Sequence, residues 1–136
     1  MIFYQTKIKK LPGTNYSEVK KHASLILNQI KKKTKRRPYI RSAYFNKQKV
    51  FFDYFWIHLA QKNLKEKIRR IKYFSCAINL IENSKIAPIS IENTDNRNEM
   101  LHRFAGKTKN KEVFFVQIKE NKKSDKKYFM SCFPQK

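Results

Sequence analysis

The amino-acid sequence predicts an α+β fold, with amphipathic helices packed on one face of an antiparallel sheet of about four to five strands. Two observations lead to this fold class. Capping boxes followed by apolar residues at helical spacing predict helices in the first two thirds of the chain. Short segments rich in aromatic and β-branched residues, separated by Lys-rich connectors, predict a C-terminal sheet at 99–134.

Composition bounds the size of the domain and the nature of its partner. The chain has 136 residues, which fits a single domain, 1–136, that is long enough to bury a core. Its 32 Lys and Arg against 10 Asp and Glu give a formal net charge of +22. A compact domain with this charge repels itself, and such a charge is typical of proteins that bind a polyanion. We therefore expect RNA, or alternatively DNA, as the partner.

The sequence predicts no membrane segment, no metal site and no cofactor. No apolar run is long enough to cross a bilayer and no signal peptide is recognisable, so we expect a cytoplasmic protein that does not bind membranes. The histidines, His22, His58 and His102, lie far apart, and no carboxylates or cysteines stand at metal-ligand spacing. Cys76 and Cys132 are expected to be free, buried thiols.

The N-terminal segment, 1–14, is expected to be an arm or an edge strand, and its sequence leaves both open. Asn15 and Glu18 form a capping box that starts a helix with an apolar stripe. This helix must end before Pro38, since the residue before a proline avoids the α region. The basic run 31–37 is either a solvated helix end or a phosphate-contacting patch.

A strand pair is predicted after Pro38, with a hairpin turn at 46–49 between its strands. A short helix at about 55–61 follows the second strand. A continuous helix over 49–61 is the alternative, because this run is too apolar for its periodicity to decide.

The clearest amphipathic helix is predicted at about 64–83. A second capping box, Asn63 with Glu66, marks its start, and apolar residues recur along it at helical spacing. The following segment, 86–98, contains a proline and several asparagines and is expected to be a loop that leads to the C-terminal sheet.

Strands are predicted in this sheet at 100–107, 112–120 and 127–133. In the middle strand, the apolar residues of even number should face the helices, which leaves Gln117 and Lys119 on the open face. The same alternation places either His102 or Arg103 on that face, but not both unless a bulge intervenes. In the last strand, alternation groups Phe129, Ser131 and Phe133 on one face.

RNA cleavage without a metal needs a base for the 2′-hydroxyl proton, an acid for the leaving 5′-oxygen and cations for the charge on phosphorus. The C-terminal sheet concentrates side chains that can share these tasks. Each of these side chains can also be explained without catalysis. His102 can be a buried histidine whose ring nitrogens are hydrogen-bonded, Arg103 and Lys119 can belong to an ordinary solvated sheet face, and Ser131 can be a small hydroxyl in a strand. The residues expected to contact nucleic acid are Arg36, Arg37, Arg41, Tyr44, Arg69, Arg70, Lys107, Gln117 and Tyr128.

The region 64–134 resembles the phage-associated nucleases of the barnase, EndoU, colicin and RelE-like superfamily. The resemblance lies in helices followed by a strand–turn–strand unit and a last strand of aromatic–x–Ser–x–aromatic–Pro type, Phe129 to Pro134. It implies a metal-independent endoribonuclease of the toxin or mobile-element effector type, met by an acidic antitoxin or inhibitor protein. Carried onto this chain, it implies catalytic roles for Arg103 or His102, Lys119 and Ser131. The acidic general base of several branches has no counterpart here.

Two other functions fit the same residues. Basic residues interleaved with aromatics would also suit a non-catalytic RNA- or DNA-binding module, in which Tyr44, Phe45, Tyr128 and Phe129 stack on bases. An accessory protein whose basic faces dock an acidic partner is the third interpretation. Outside the resemblance, Arg41, Tyr44 and His58 are further groups able to reach the working face of the sheet.

Overall fold

The computed structural model describes residues 2–135, and within them four helices pack against a seven-stranded mixed sheet, which confirms the α+β class. In chain order the elements are β1 (Tyr4–Gln5), α1 (Tyr16–Lys33), β2 (Tyr39–Ser42), β3 (Gln48–Phe51), α2 (Phe55–Ala60), α3 (Leu64–Ile71), α4 (Phe74–Asn83), β4 (Ile89–Glu92), β5 (Glu99–Lys107), β6 (Val113–Asn121) and β7 (Lys127–Pro134). Within the same residues, no helix is both long and apolar enough to cross a membrane.

The strand order is β1-β5-β6-β7-β3-β2, and β4 also pairs with β5. Because β6 occupies one edge of β5 over its whole length, β1 and β4 share the other edge. The β1–β5 and β3–β7 pairings are parallel and the others are antiparallel. The expectation of four to five purely antiparallel strands is therefore wrong in detail. One reason is β4, which forms within the segment that was expected to be a loop.

Both predicted N-caps are present, although the carboxylates expected to complete the capping boxes bond to other groups, Glu18 to Thr14 and the Asn15 side chain and Glu66 to Arg69 and Arg70. The Asn15 side-chain oxygen accepts a hydrogen bond from the Glu18 backbone N–H at 3.0 Å, and Asn63 does the same for Glu66 at 2.9 Å. Each bond satisfies an N–H that the first helical turn leaves without a partner. The α1 helix ends at Lys33, where three lysines in its last turn complement the negative end of the helix dipole.

The single helix predicted over 64–83 is two helices, α3 and α4. Tyr73 separates them, with φ −91° and ψ 4°, and its backbone N–H bonds to the Arg70 carbonyl at 3.1 Å. The break leaves Arg70 half-exposed on α3, whereas α4 is buried over most of its length. The apolar spacing continues across the break, so periodicity alone did not reveal it.

The core is centred on Phe129 of β7. Its ring stacks on Phe55 of α2 at a centroid distance of 4.6 Å, and it lies 5.9 Å from Phe52 and 6.2 Å from Phe74. All four side chains are buried, and each contributes about 2–3 kcal/mol by leaving water. Cys76 and Cys132 are free and buried, and burial raises the pKa of both thiols, that of Cys76 to about 11.

A β-bulge in β7 determines which side chains reach this core. Gln117 of β6 pairs with Ser131, but the next residue, Ile118, pairs with Phe129, so Met130 is an extra residue in β7. Before the bulge the alternation is reversed, and Phe129 lies on the helix-facing side while its neighbour Tyr128 lies on the open side. The predicted grouping of Phe129 with Ser131 is therefore wrong, because a bulge leaves no trace in an alternating pattern.

Gly106 provides a test of how closely β5 and β6 approach α4. A Cβ atom placed on Gly106 would lie 2.8 Å from Leu80 Cδ1 and 2.8 Å from Phe114 Cζ, and both of those side chains are fully buried. We expect Gly106→Ala to lower the free energy of unfolding by about 1–3 kcal/mol through overpacking. The neighbouring Lys107→Ala, on the open side, should change it by less than about 0.5 kcal/mol. Urea denaturation of both variants measures the difference; equal midpoints would contradict the packing.

Candidate active site

The sheet face opposite the helices carries two rows of side chains that run across the strands. The first row is Tyr39, Phe51, Tyr128, Lys119 and Leu101, each paired with the next across adjacent strands. The second row is Ser131, Gln117 and Arg103. The predicted placement of Gln117 and Lys119 on the open face is therefore confirmed, and of the two alternatives it is Arg103, not His102, that joins them.

A pocket of about 370 Å³ opens at the end of the second row. It forms where α2 and α3 approach the C-terminal part of β7, because β3 pairs with β7 only at Lys127 and Tyr128. Its polar lining residues are His58, Lys62, Arg70, Arg103, Gln117 and Ser131. The pocket thus joins residues of the C-terminal sheet to residues of two helices that precede it in the sequence.

Two guanidinium groups converge in this pocket. Arg70 and Arg103 each lie 5.3 Å from the centre of the Phe133 ring, which is within the range of a cation–π interaction. Arg70 is 3.5 Å from a Glu66 oxygen, whereas Arg103 is exposed and has no carboxylate partner within the described residues. Because none of the lining residues is acidic and Arg103 has no carboxylate partner within the described residues, the pocket has an excess of positive charge that suits an anion.

His58 on α2 is the one imidazole in the pocket lining. Burial lowers its pKa because it removes water from the ring, and the positive charges of Lys119 and Lys62 lower it further. A histidine with a lowered pKa is neutral at neutral pH and has a ring nitrogen free to accept a proton. The sequence indicates His58 only as a group able to reach the sheet face, because its position depends on how α2 packs against β7.

Lys119 lies beside the pocket. Its ammonium nitrogen is 3.2 Å from a Glu99 oxygen and 4.2 Å from the centre of the Tyr54 ring. Its charge nevertheless acts on the site, since it contributes to the lowered pKa of His58. Lys119 therefore acts on the imidazole from outside the pocket lining.

The structure does not bring His102 together with Arg103 and Ser131. His102 lies on the helix-facing side of β5, 7% exposed. Its Nδ1 is 2.6 Å from the Ser90 hydroxyl and its Nε2 is 2.8 Å from a Glu120 oxygen, while Glu120 lies 3.6 Å from the ammonium of the buried Lys127. This network connects β4, β5, β6 and β7 below the open face, which is the ordinary structural alternative for this histidine.

The expected nucleic-acid contacts are distributed over several surfaces. Arg70 and Gln117 line the pocket, and Tyr128 lies on the open face in the neighbouring row. Lys107 lies farther away, at the end of β5, where it pairs with Val113. Tyr44 is placed differently, because its ring packs against Phe45 and Phe104 of the core.

The remaining predicted contacts are four arginines. Arg36 and Arg37 line a separate groove. Arg41 donates a hydrogen bond to the Lys47 carbonyl at 3.0 Å, and Arg69 is ion-paired with Glu66. Groups of three or more His, Cys, Asp or Glu that could hold a metal ion are absent from residues 2–135.

Glu120 is expected to matter for stability because it is the shared partner of His102 and Lys127. Glu120→Ala should lower the free energy of unfolding by about 1–3 kcal/mol, since it leaves the buried Nε2 of His102 without a hydrogen-bond partner and removes one of the two carboxylates beside the buried ammonium of Lys127. The control is Glu92→Ala, which removes an exposed ion pair with Lys122 and should cost less than about 0.5 kcal/mol. Thermal or urea unfolding compares the two; a loss no larger for Glu120 than for Glu92 would exclude a structural network.

Comparison of the chain with family models, with curated proteins and with solved structures finds no match. The resemblance of region 64–134 to the barnase, EndoU, colicin and RelE-like nucleases therefore stays a prediction. Function is inferred below from the residues of the pocket and of the open face.

Proposed function

We propose that this protein is a metal-independent endoribonuclease whose active site is the pocket between β7, α2 and α3. The observation that carries the proposal is the meeting of a histidine of lowered pKa, His58, with the unpaired guanidinium of Arg103 in one pocket free of carboxylates. The net charge of +22 supports a polyanionic substrate. Gln117 and Ser131 add neutral hydrogen-bonding groups to the same pocket.

In the proposed reaction, neutral His58 accepts the proton of a ribose 2′-hydroxyl, and the 2′-oxygen attacks the adjacent phosphorus. The bond from phosphorus to the 5′-oxygen breaks, which gives a 2′,3′-cyclic phosphate and a 5′-hydroxyl end. Arg103 and Arg70 stabilise the charge that develops on the phosphoryl oxygens. Lys62 is the proton donor to the leaving oxygen, since arginine does not give up its proton in proteins.

These roles differ from those that the resemblance implies. Arg103 and Ser131 keep places in the site, whereas His58 takes the part of the base in place of His102. Lys119 becomes a positioning residue that keeps His58 neutral. A toxin or mobile-element effector role, with an acidic antitoxin as partner, belongs to the same proposal, because an acidic surface would complement the basic pocket.

A non-catalytic RNA- or DNA-binding module is the second candidate. It is favoured by the aromatic rings that Tyr39, Phe51 and Tyr128 place along the first row of the open face, since such rings stack on bases. Binding with a steep salt dependence and an intact bound RNA would identify this function, whereas the endoribonuclease requires cleavage in the presence of EDTA.

Substitution of His58 and Arg103 tests the catalytic proposal. In EDTA, His58→Gln should slow cleavage of labelled RNA by about 10²–10⁴-fold, and Arg103→Ala by about 10²–10³-fold. The matched controls are the exposed His22→Gln on α1 and Arg97→Ala in a loop, which should keep wild-type rates. Absence of cleavage by the wild-type protein, or equal rates for site and control variants, would refute the endoribonuclease.

The pH profile tests the part assigned to Lys119. Cleavage should rise with pH as His58 loses its proton, and it should level off at a lower pH than an unperturbed histidine would give, because the pKa of His58 is lowered by burial and by nearby lysines. Lys119→Met removes a positive charge that opposes protonation, so the pKa of His58 and the rising limb of the profile should move to higher pH. Lys122→Met, which removes an exposed lysine, should leave both in place.

NMR titration of the His58 ring measures the same shift without any RNA. If Lys119→Met changes neither the pH profile of cleavage nor the titration of His58, then Lys119 has no part in the site.

A further inference from the structure

We propose that the open face carries a binding track for single-stranded RNA, which runs to the pocket from a basic groove between the end of α1 and strands β2 and β3. The proposal deepens the proposed function and rests on it, since it specifies that the cleaved RNA is unpaired. The track consists of the groove and of the aromatic rings in the first cross-strand row. The groove is distinct from the pocket, because the two have no lining residue in common.

The groove, of about 500 Å³, is a site of concentrated positive charge. Its main lining residues are Lys33, Lys35, Arg36, Arg37, Lys49, Tyr39 and Phe51. Among its cations, Arg37 alone has an ion-pair partner within the described residues, which is Asp53. The remaining cations are exposed, so a polyanion is the partner that complements the groove.

Aromatic rings extend from the groove across the sheet. The centres of Tyr39 and Phe51 are 6.0 Å apart, those of Phe51 and Tyr128 are 6.0 Å apart, and those of Tyr128 and Tyr54 are 4.9 Å apart. All four side chains are half-exposed. The rings therefore form a continuous set of contacts from β2 to the segment that enters α2, the helix of His58.

Each part of this set has a cation beside it. Lys49 is 4.7 Å from the Tyr39 ring, Arg37 is 4.3 Å from Phe51, and Lys119 is 4.2 Å from Tyr54. Lys119 is also the cation whose charge reaches His58. The alternation of ring and cation therefore continues from the groove to the edge of the pocket.

This arrangement favours a single strand over a duplex. Rings bind nucleic acid by stacking on the faces of bases, and a duplex hides those faces in its own stack. The cations that lie near the rings can neutralise the phosphates that alternate with the bases along an extended strand. A duplex would use the cations but leave the rings without a partner.

The test is binding of a fluorescently labelled 2′-O-methyl oligoribonucleotide, which lacks the free hydroxyl needed for cleavage. Tyr39→Ala should weaken binding of the single strand at least about fivefold, the low end for the loss of one stacked base, and should leave binding of the annealed duplex unchanged. The matched control is Tyr16→Ala on α1, a half-exposed ring that also has two lysines near it, at 5.8 and 5.7 Å. Thermal unfolding confirms that each variant is folded during the assay.

A second variant tests the groove. Replacement of Lys35, Arg36 and Lys49 by alanine removes three exposed cations and should reduce the slope of log affinity against log salt by about two. An unchanged salt slope would overturn the track. So would a loss of affinity for the single strand that is no larger in Tyr39→Ala than in Tyr16→Ala.

Different experimental results would contradict the track and the catalytic proposal. If Tyr39→Ala weakens single-strand binding but wild-type protein cleaves no RNA, the track stands and the endoribonuclease is excluded. If His58-dependent cleavage occurs while Tyr39→Ala binds and cleaves as wild type does, the track is excluded and the endoribonuclease stands.

Discussion

The extra residue Met130 in β7 is the constraint on which both the core and the candidate site depend. By reversing the alternation, it allows one strand to place Phe129 among the rings of the core and Tyr128 and Ser131 on the open face. A regular strand would put Phe129 on the open face with Ser131, and the stack on Phe55 would be lost. Met130 itself lines the pocket, so the bulge also shapes the site that it makes accessible.

The distribution of acidic residues accounts for the absence of carboxylates from the pocket lining. With only 10 acids against 32 cations, carboxylates are used where cations approach one another. Glu66 lies between Arg69 and Arg70, Glu99 holds Lys119, and Glu120 contacts Lys127. These pairs reduce self-repulsion within the domain, and none of their carboxylates lines the pocket. The resulting excess of positive charge favours a bound phosphate and, through Lys119, a neutral imidazole at His58.

The parts of the structure that the sequence predicted are those set by local interactions. The caps at Asn15 and Asn63 depend on bonds within four residues, and the placement of Gln117 and Lys119 follows from alternation along one strand. Other features need the tertiary fold. The spacing of apolar residues continues through the break at Tyr73, so the pattern does not reveal it. Strand β4 forms because β5 has a free edge with which it can pair, although the sequence of β4 resembles a loop. The orientation of His58 depends on the packing of α2 against β7, which no local pattern contains.

The short pairing of β3 with β7 links the core to the site. The pairing of β3 with β7 ends at Phe51 and Tyr128. The residues that follow β3 include Phe52 and Phe55, whose rings pack against Phe129. Helix α2 therefore covers the part of the β7 edge that β3 does not reach. His58 and Tyr54 are carried on this same segment, one at the pocket and one at the end of the aromatic row. The Phe55–Phe129 stack thus fixes His58 relative to the rings of the open face. The geometry of the site consequently depends on the packing of the core, and a substitution that loosens the Phe55–Phe129 stack will also move His58.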